Sequence, residues 1–230
     1  KTIKKKLTAF RPFVRSRHPS HDPLRDQLPL FPFRSVVRLG SDWAGDGRER
    51  VEVNTIQSVT NSANKLLMKE RFSEKNVITA EWFRLPDYES MSIVDTKHGI
   101  NFSQGNDRKR LNFPVVTKSL TGSRNNGNKL HTTMEEFGNF LDWVERNSNE
   151  ENYIVEEYLN YNREYRLHVT EDGCFYACRK LLREDTPEDE RWYRNDSNCN
   201  WILESNESFD KPVNWNTIIA ECVKALKAVG

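Results

Sequence analysis

One lysine stands inside an apolar run in "FPVVTKSLTGSRNNGNKL", Phe113 to Leu130. Lys118 falls within a predicted β-strand, and a loop with Gly122, Ser123 and Gly127 follows. An ammonium on an apolar strand is costly to bury unless an anion meets it. Glycines let backbone amides approach a phosphate closely. The stretch therefore reads as a phosphate-facing lysine with its loop, or as a plain hairpin with a snorkelling lysine. It is not a nucleoside-triphosphatase P-loop. That motif puts Lys directly after the second Gly, then Ser or Thr, at the start of a helix. Here Asn128 intervenes, Leu130 follows Lys129, and the helix signal comes later.

A second cluster lies in "REYRLHVTEDGCFYACRKLL". Asp172-Gly173 has the composition of a two-residue hairpin turn. A regular register from that turn sets Arg166 opposite Arg179. It predicts a polar face of Glu164, Arg166, His168, Ala177 and Arg179, and a core face of Tyr165, Leu167, Val169, Tyr176 and Cys178. Like charges directly opposed cost a few tenths to about 1 kcal/mol. An anion between the arginines would explain them, either Glu164 or the acidic "EDTPEDE" loop, or a bound phosphate or carboxylate. In "NYIVEEYL", Glu156 and Glu157 put one acid on each face of a strand. Each needs a donor, which ribose hydroxyls or a salt bridge could supply.

The elements that must position these groups alternate between helix and strand, which predicts an α/β or α+β fold. "NTIQSVTNSANKLLMKERF" has helical spacing with a break expected near Asn61 to Ser62. "VITAEWFRL" reads as a strand, and "DTKHGINFSQGNDRKR" as a polar excursion without a period. Thr133 and Glu136 form a capping-box pattern before a helix whose Met134, Phe137, Leu141 and Val144 share a face. A last helix is expected from about Asn216. The expected organisation is an N-terminal arm and α/β subdomain at 1–80, a lid at 81–155 and a core beginning at 156–230.

The formal net charge of +1 over 230 residues gives no overall bias toward polyanions. Positive charge is concentrated in Lys1 to Arg17, with Phe10 and Phe13 interleaved, so an arm touching nucleic acid is one alternative. No apolar run approaches membrane-spanning or signal-peptide length, and Cys174, Cys178, Cys199 and Cys222 lack a zinc spacing. A cytoplasmic protein with reduced thiols is expected.

Taken in order, "NSANKLLMKERF", the Lys118 strand and loop, "YIVEEYL", the hairpin and "WYRNDSN" resemble the ATP-grasp superfamily of carboxylate ligases. The resemblance runs from about Ser35 to the end. It implies an ATP- and Mg2+-dependent ligase that joins a carboxylate to an amine through an acyl phosphate. It implies that Lys65 and Lys118 hold the α- and β-phosphates, and that Gly122, Ser123 and Gly127 close over the triphosphate. Glu156 would lie beside the adenine amino group. Glu157, Tyr158 and Leu159 would line the adenine slot, with an acid there taking the ribose hydroxyls. Arg179 and Arg194 would grip the acyl phosphate, supported by Arg166 and Glu164. The magnesium ligands of such proteins would fall beyond Gly230, so the C-terminal core is expected to be incomplete. A non-catalytic nucleotide-binding protein of the same fold is the other alternative.

Overall fold

In the computed structural model the described residues are 35–37, 51–85, 94–96, 99–104, 107–122, 125–147, 152–204, 209 and 211–230. The basic arm, Lys1 to Arg17, lies outside them. The chain divides into two compact units, 1–63 with Gly230 and 64–229. In the first unit β1 (Ser35–Val37) pairs in parallel with β2 (Val51–Val53), and α1 (Ile56–Ala63) follows. Thr55 caps α1, its Oγ1 accepting from the Ser58 N–H at 3.1 Å.

The second unit opens with α2 (Lys65–Glu74). The helical pattern breaks at Asn64, two residues past the expected point. Asn64 Oδ1 accepts from the Leu66 and Leu67 N–H groups at 2.9 and 3.3 Å, which is what an N-cap does for the orphan donors of a first turn. Next come β3 (Trp82–Arg84), β4 (Val94–Thr96), β5 (Gly99–Gln104), β6 (Asp107–Asn112), β7 (Val115–Ser119) and β8 (Lys129–His131). The helix α3 (Met134–Arg146) leads to β9 (Tyr153–Glu157). The hairpin β10 (Glu164–Thr170) and β11 (Gly173–Leu182), then β12 (Cys199–Leu203) and α4 (Trp215–Val229), complete the unit. Among the described residues no helix is long and apolar enough to cross a membrane.

The strands form three antiparallel sheets in this unit: β3-β9-β7-β8, β4-β5-β6 and β10-β11-β12. The β4-β5-β6 meander occupies the expected polar excursion and corrects it. Ile100 and Phe102 alternate inward and are fully buried, but β6 answers with one buried apolar residue, Leu111. A period of two carried by so few residues is easily overlooked. These three join Phe83, Leu85, Val115, Val155 and the α3 face of Phe137, Phe140, Leu141 and Val144 in one core. Phe140 belongs to that face although the helical spacing was read without it.

The α3 cap differs from a reciprocal capping box by one residue. Thr133 Oγ1 accepts from the Glu136 N–H at 3.2 Å, but the Glu136 carboxylate takes the Thr132 N–H at 2.6 Å. Thr133→Ala should lower stability by about 1 kcal/mol, read from the urea midpoint at constant m-value. Beneath α3, Thr117 and His131 are buried and their side chains meet at 3.0 Å. Burial lowers the His131 pKa. The unfolded chain then binds a proton at higher pH than the folded one, so stability falls as pH drops below the unfolded histidine value of about 6.5. His131→Gln should flatten that acid limb in thermal melts across pH 5 to 7.

Candidate functional site

Strand pairing sets the first contact. β7 and β9 run antiparallel with Val116 opposite Glu156 and Lys118 opposite Ile154. Lys118 and Glu156 are thus diagonal neighbours on one face, within reach for long side chains. Lys118 Nζ meets Glu156 Oε2 at 2.5 Å. The other carboxylate oxygen, Oε1, lies 3.1 Å from Lys69 Nζ. Lys69 also donates to Thr79 Oγ1 at 2.5 Å and to the Ala80 carbonyl at 3.3 Å. Lys69 and Glu156 are 4% and 5% exposed, whereas the Lys118 side chain is 31% exposed. The buried pair is a foundation, and Lys118 is its member at the opening. Burial lowers the Lys69 pKa against the opposing pull of Glu156.

Lys65, the lysine expected at phosphate, instead donates to the carbonyls of Ser119 and Gly122 at 2.6 and 2.5 Å. It ties α2 to the start of the loop and does not line the cleft described below. Burial, then the nearby Lys118 charge, lowers its pKa. The loop glycines serve the loop itself. A Cβ at Gly122 would collide with the Asn126 carbonyl oxygen, and one at Gly127 would come within 2.8 Å of Ser119 Cβ. Gly127 also has φ +74°, which side-chain-bearing residues adopt at a cost. Ser123 lies outside the described residues.

The hairpin register differs from the regular one. His168 pairs with Tyr176 but Val169 pairs with Cys174, so Phe175 is an extra residue in a β-bulge. The turn also falls one residue earlier than the expected Asp172-Gly173, at Glu171-Asp172, because Thr170 pairs with Gly173; the bulge then shifts everything beyond it back by one position. Arg166 therefore faces Cys178, and Arg179 faces Tyr165. The expected pair of opposed arginines does not exist. The polar face carries Glu164, Arg166 and His168 together with Tyr176, Cys178 and Lys180. Arg179 is on the reverse face, shared with Tyr165, whose ring packs edge-on against Trp215 of α4. There Arg179 Nε lies 3.0 Å from Glu204 Oε1, close but not aligned as a hydrogen bond.

Around Lys118 the second unit forms a cleft of about 690 Å³. Its walls are Val116 and Lys118 of β7, the end of β9 and the residues after it from Glu156 to Leu159, and the loop residues Asn125 and Asn128. Glu164, Arg166 and Lys180 of the hairpin and the segment from Trp192 to Asp196 close the other side. Lys180 Nζ meets Glu164 Oε1 at 2.6 Å and donates to the Arg194 carbonyl at 3.0 Å. Tyr161 donates to Glu164 Oε2 at 2.9 Å, and burial pushes its pKa up to about 12. The Arg194 guanidinium lies 4.6 Å from the Tyr161 ring, and the Arg166 guanidinium 4.6 Å from the Trp201 ring. Among the described residues neither arginine has a carboxylate within ion-pair distance. Arg194 Nε and Asn128 Oδ1 are buried with no hydrogen-bond partner among the described residues. On β9, the Glu157 N–H donates to the Glu81 carbonyl at 3.0 Å and the Tyr158 N–H to the Pro114 carbonyl at 3.2 Å. Glu157 Oε1 accepts from the Glu81 N–H at 3.0 Å. The cleft can thus hold an anion on guanidinium groups set over aromatic rings, beside a peptide edge at Leu159.

No protein-family model matches this sequence, and no curated protein sequence does. Solved structures do match. A carboxyaminoimidazole ribonucleotide synthase from Aspergillus clavatus, solved with ATP, is similar over 78% of this chain and 41% of its own, at 14% identity and TM-score 0.50. The chain has the ATP-grasp fold. A structure described as the ATP-grasp ligase PsnB is 14% identical over 79% of this chain and 49% of its own, with TM-score 0.48. A D-alanine–D-alanine ligase from Bacillus anthracis is 14% identical over 76% of this chain and 51% of its own, with TM-score 0.49. The chain thus spans about half the length of these ATP-grasp structures, or less.

Of the residues singled out in the sequence, Lys118, Glu156, Glu157, Tyr158, Leu159, Glu164, Arg166 and Arg194 line this cleft. Lys65, Gly122, Gly127 and Arg179 do not. Lys69 and Lys180 were overlooked, as were Tyr161 and Trp192 of the cleft wall. Lys69 lies four residues after Lys65, one helical turn along, and only helix orientation decides which lysine reaches Glu156. Lys180 lies next to Arg179, and only the bulge decides which of them points to the cleft.

Proposed function

We propose that the chain carries the ATP-binding cleft of a ligase that joins a carboxylate to an amine. The observation that carries this reading is the pair of guanidinium groups set over aromatic rings, without carboxylate partners among the described residues, in one cleft with Lys118 in an ATP-grasp fold. The likeness to a synthase solved with ATP supports it. Bound ATP would supply the phosphoryl group that activates the acid as an acyl phosphate, which an amine then attacks. Lys118 would exchange Glu156 Oε2 for phosphate oxygens, while Lys69 keeps Glu156 compensated. Arg194, Arg166 and Lys180 would hold the charge that develops as the phosphoryl group moves. Leu159 would present its backbone to the adenine edge, since the N–H groups of Glu157 and Tyr158 are already engaged. The second oxygen of Glu157 would accept from ribose. In this reading residues 81–155 act as the lid over the nucleotide and 156–230 as the core beneath it.

Among the described residues no group of three or more His, Cys, Asp or Glu could hold a metal ion. The described side chains do not build the magnesium site that the fold implies.

Two measurements test the reading. Calorimetry should show one saturable ATP site per chain. Arg194→Ala should weaken it about tenfold, the worth of one charge-assisted contact of about 1.4 kcal/mol. Arg194→Lys should restore little, because an ammonium lacks the planar group that stacks on Tyr161. ADP release in the presence of an acid and an amine would separate a ligase from a protein that only binds nucleotide. Unchanged ATP affinity in Arg194→Ala would count against this cleft.

A further inference from the structure

The face of the β10-β11-β12 sheet does not end where the cleft ends. Residues paired across antiparallel strands point to the same side. Three rows follow from the register: Glu164, Lys180 and Trp201; Arg166, Cys178 and Leu203; His168 and Tyr176. Glu164, Arg166 and Lys180 line the cleft. The remainder continues outward from it as an apolar and aromatic shelf. Leu203 is 59% exposed and Tyr176 42% exposed.

The bulge builds the outer end of this shelf. Two residues there oppose one, so Phe175 and Tyr176 both reach the His168 ring, at 6.2 and 5.1 Å between centroids. Phe175 is 68% exposed. Large side chains left open beside a charged cleft mark a binding surface more than scattered exposure does. The charge at the junction says what fits. Arg166 stands between cleft and shelf, its guanidinium over the Trp201 ring at 4.6 Å, with no carboxylate partner among the described residues. A guanidinium fixed in this way matches a carboxylate, and the shelf beyond it matches a flat apolar body.

We propose that this shelf is the acid-binding subsite, and that it selects an aromatic carboxylic acid. Its carboxylate would sit at Arg166, facing the phosphate end of the cleft, and its ring would lie on Leu203 and Tyr176. This rests on the ligase reading for its meaning, but not for its test, because acid binding can be measured without nucleotide.

The test uses N-acetyl-L-phenylalanine and N-acetyl-L-alanine as probes on the full chain, followed by ligand-observed saturation-transfer NMR and by calorimetry. The aromatic acid should bind at least tenfold more tightly than the alanine derivative. Arg166→Ala should reduce its affinity about tenfold or more. Leu203→Asp, at an exposed position, should do the same while leaving ATP affinity and the thermal midpoint unchanged. Equal affinity for the two acids overturns the proposal, as does undiminished binding in Leu203→Asp. If the aromatic acid binds with this pattern while ATP does not bind at all, the shelf stands and the nucleotide reading has failed. If ATP binds and neither acid does, the reverse holds.

Discussion

Lys118→Ala should lose ATP binding by about 50-fold to 100-fold while folding almost as stably as the parent chain. The two halves of this expectation come from one geometry. Lys118 is the exposed member of the Lys69–Glu156–Lys118 cluster, with about a third of its side chain open to solvent. Ion pairs of that exposure contribute little to stability, about 0 to 1 kcal/mol. Removing it leaves Glu156 still compensated by Lys69 at 3.1 Å. Toward a polyphosphate the same ammonium would make charge-assisted hydrogen bonds, each worth about 1.5 to 3 kcal/mol. Calorimetry and urea unfolding of the same variant measure the two quantities separately. Retained affinity, or a stability loss of several kcal/mol, would show that Lys118 is structural.

Glu156→Ala should do the opposite. It leaves the Lys69 ammonium, 4% exposed, with only Thr79 Oγ1 and the Ala80 carbonyl to receive it. Removing one partner of a buried ion pair typically costs about 3 to 5 kcal/mol, because an uncompensated charge stays behind. The double variant Glu156→Ala with Lys69→Met should recover most of that loss, since an apolar chain of similar length replaces the stranded charge. Denaturant midpoints at constant m-value would measure both. A single variant within about 1 kcal/mol of the parent would show that water or rearrangement already relieves Lys69. The contrast matters for function. A cluster with a buried anchor and an exposed partner can give up the exposed lysine to a ligand without loosening the sheet.

Much of this layout was legible in the residues. The lysine in "FPVVTKSL" and the doubled acid in "YIVEEYL" were read as strand charges in need of partners, and pairing of β7 with β9 made them partners of each other. The acidic residue thus met a lysine where a ribose or an adenine had been expected beside it. The helix after Thr133 was clear because its cap and its buried face agree. What escaped was register. A bulge is one additional backbone residue, and nothing in "DGCFYACRK" announces it by composition. Yet it moves Arg179 to the reverse face and brings Lys180 forward. Lys69 was passed over for a related reason. Both are lysines on one helix a turn apart, and the tertiary placement of α2 decides which is buried. The β4-β5-β6 meander was hidden because only three of its side chains, Ile100, Phe102 and Leu111, are described as buried hydrophobic residues.

The central claim is that ATP occupies this cleft with its phosphates at Lys118 and Arg194 and its base at Leu159, just past the end of β9, which backbone amide NMR can map directly. ATP titrated into the isotopically labelled chain should shift the amides of Lys118, Leu159, Arg194 and their immediate neighbours in a saturable way, and should leave α3 unmoved. Shifts confined to other surfaces, or no saturable shift at millimolar ATP with or without divalent cations, would contradict it.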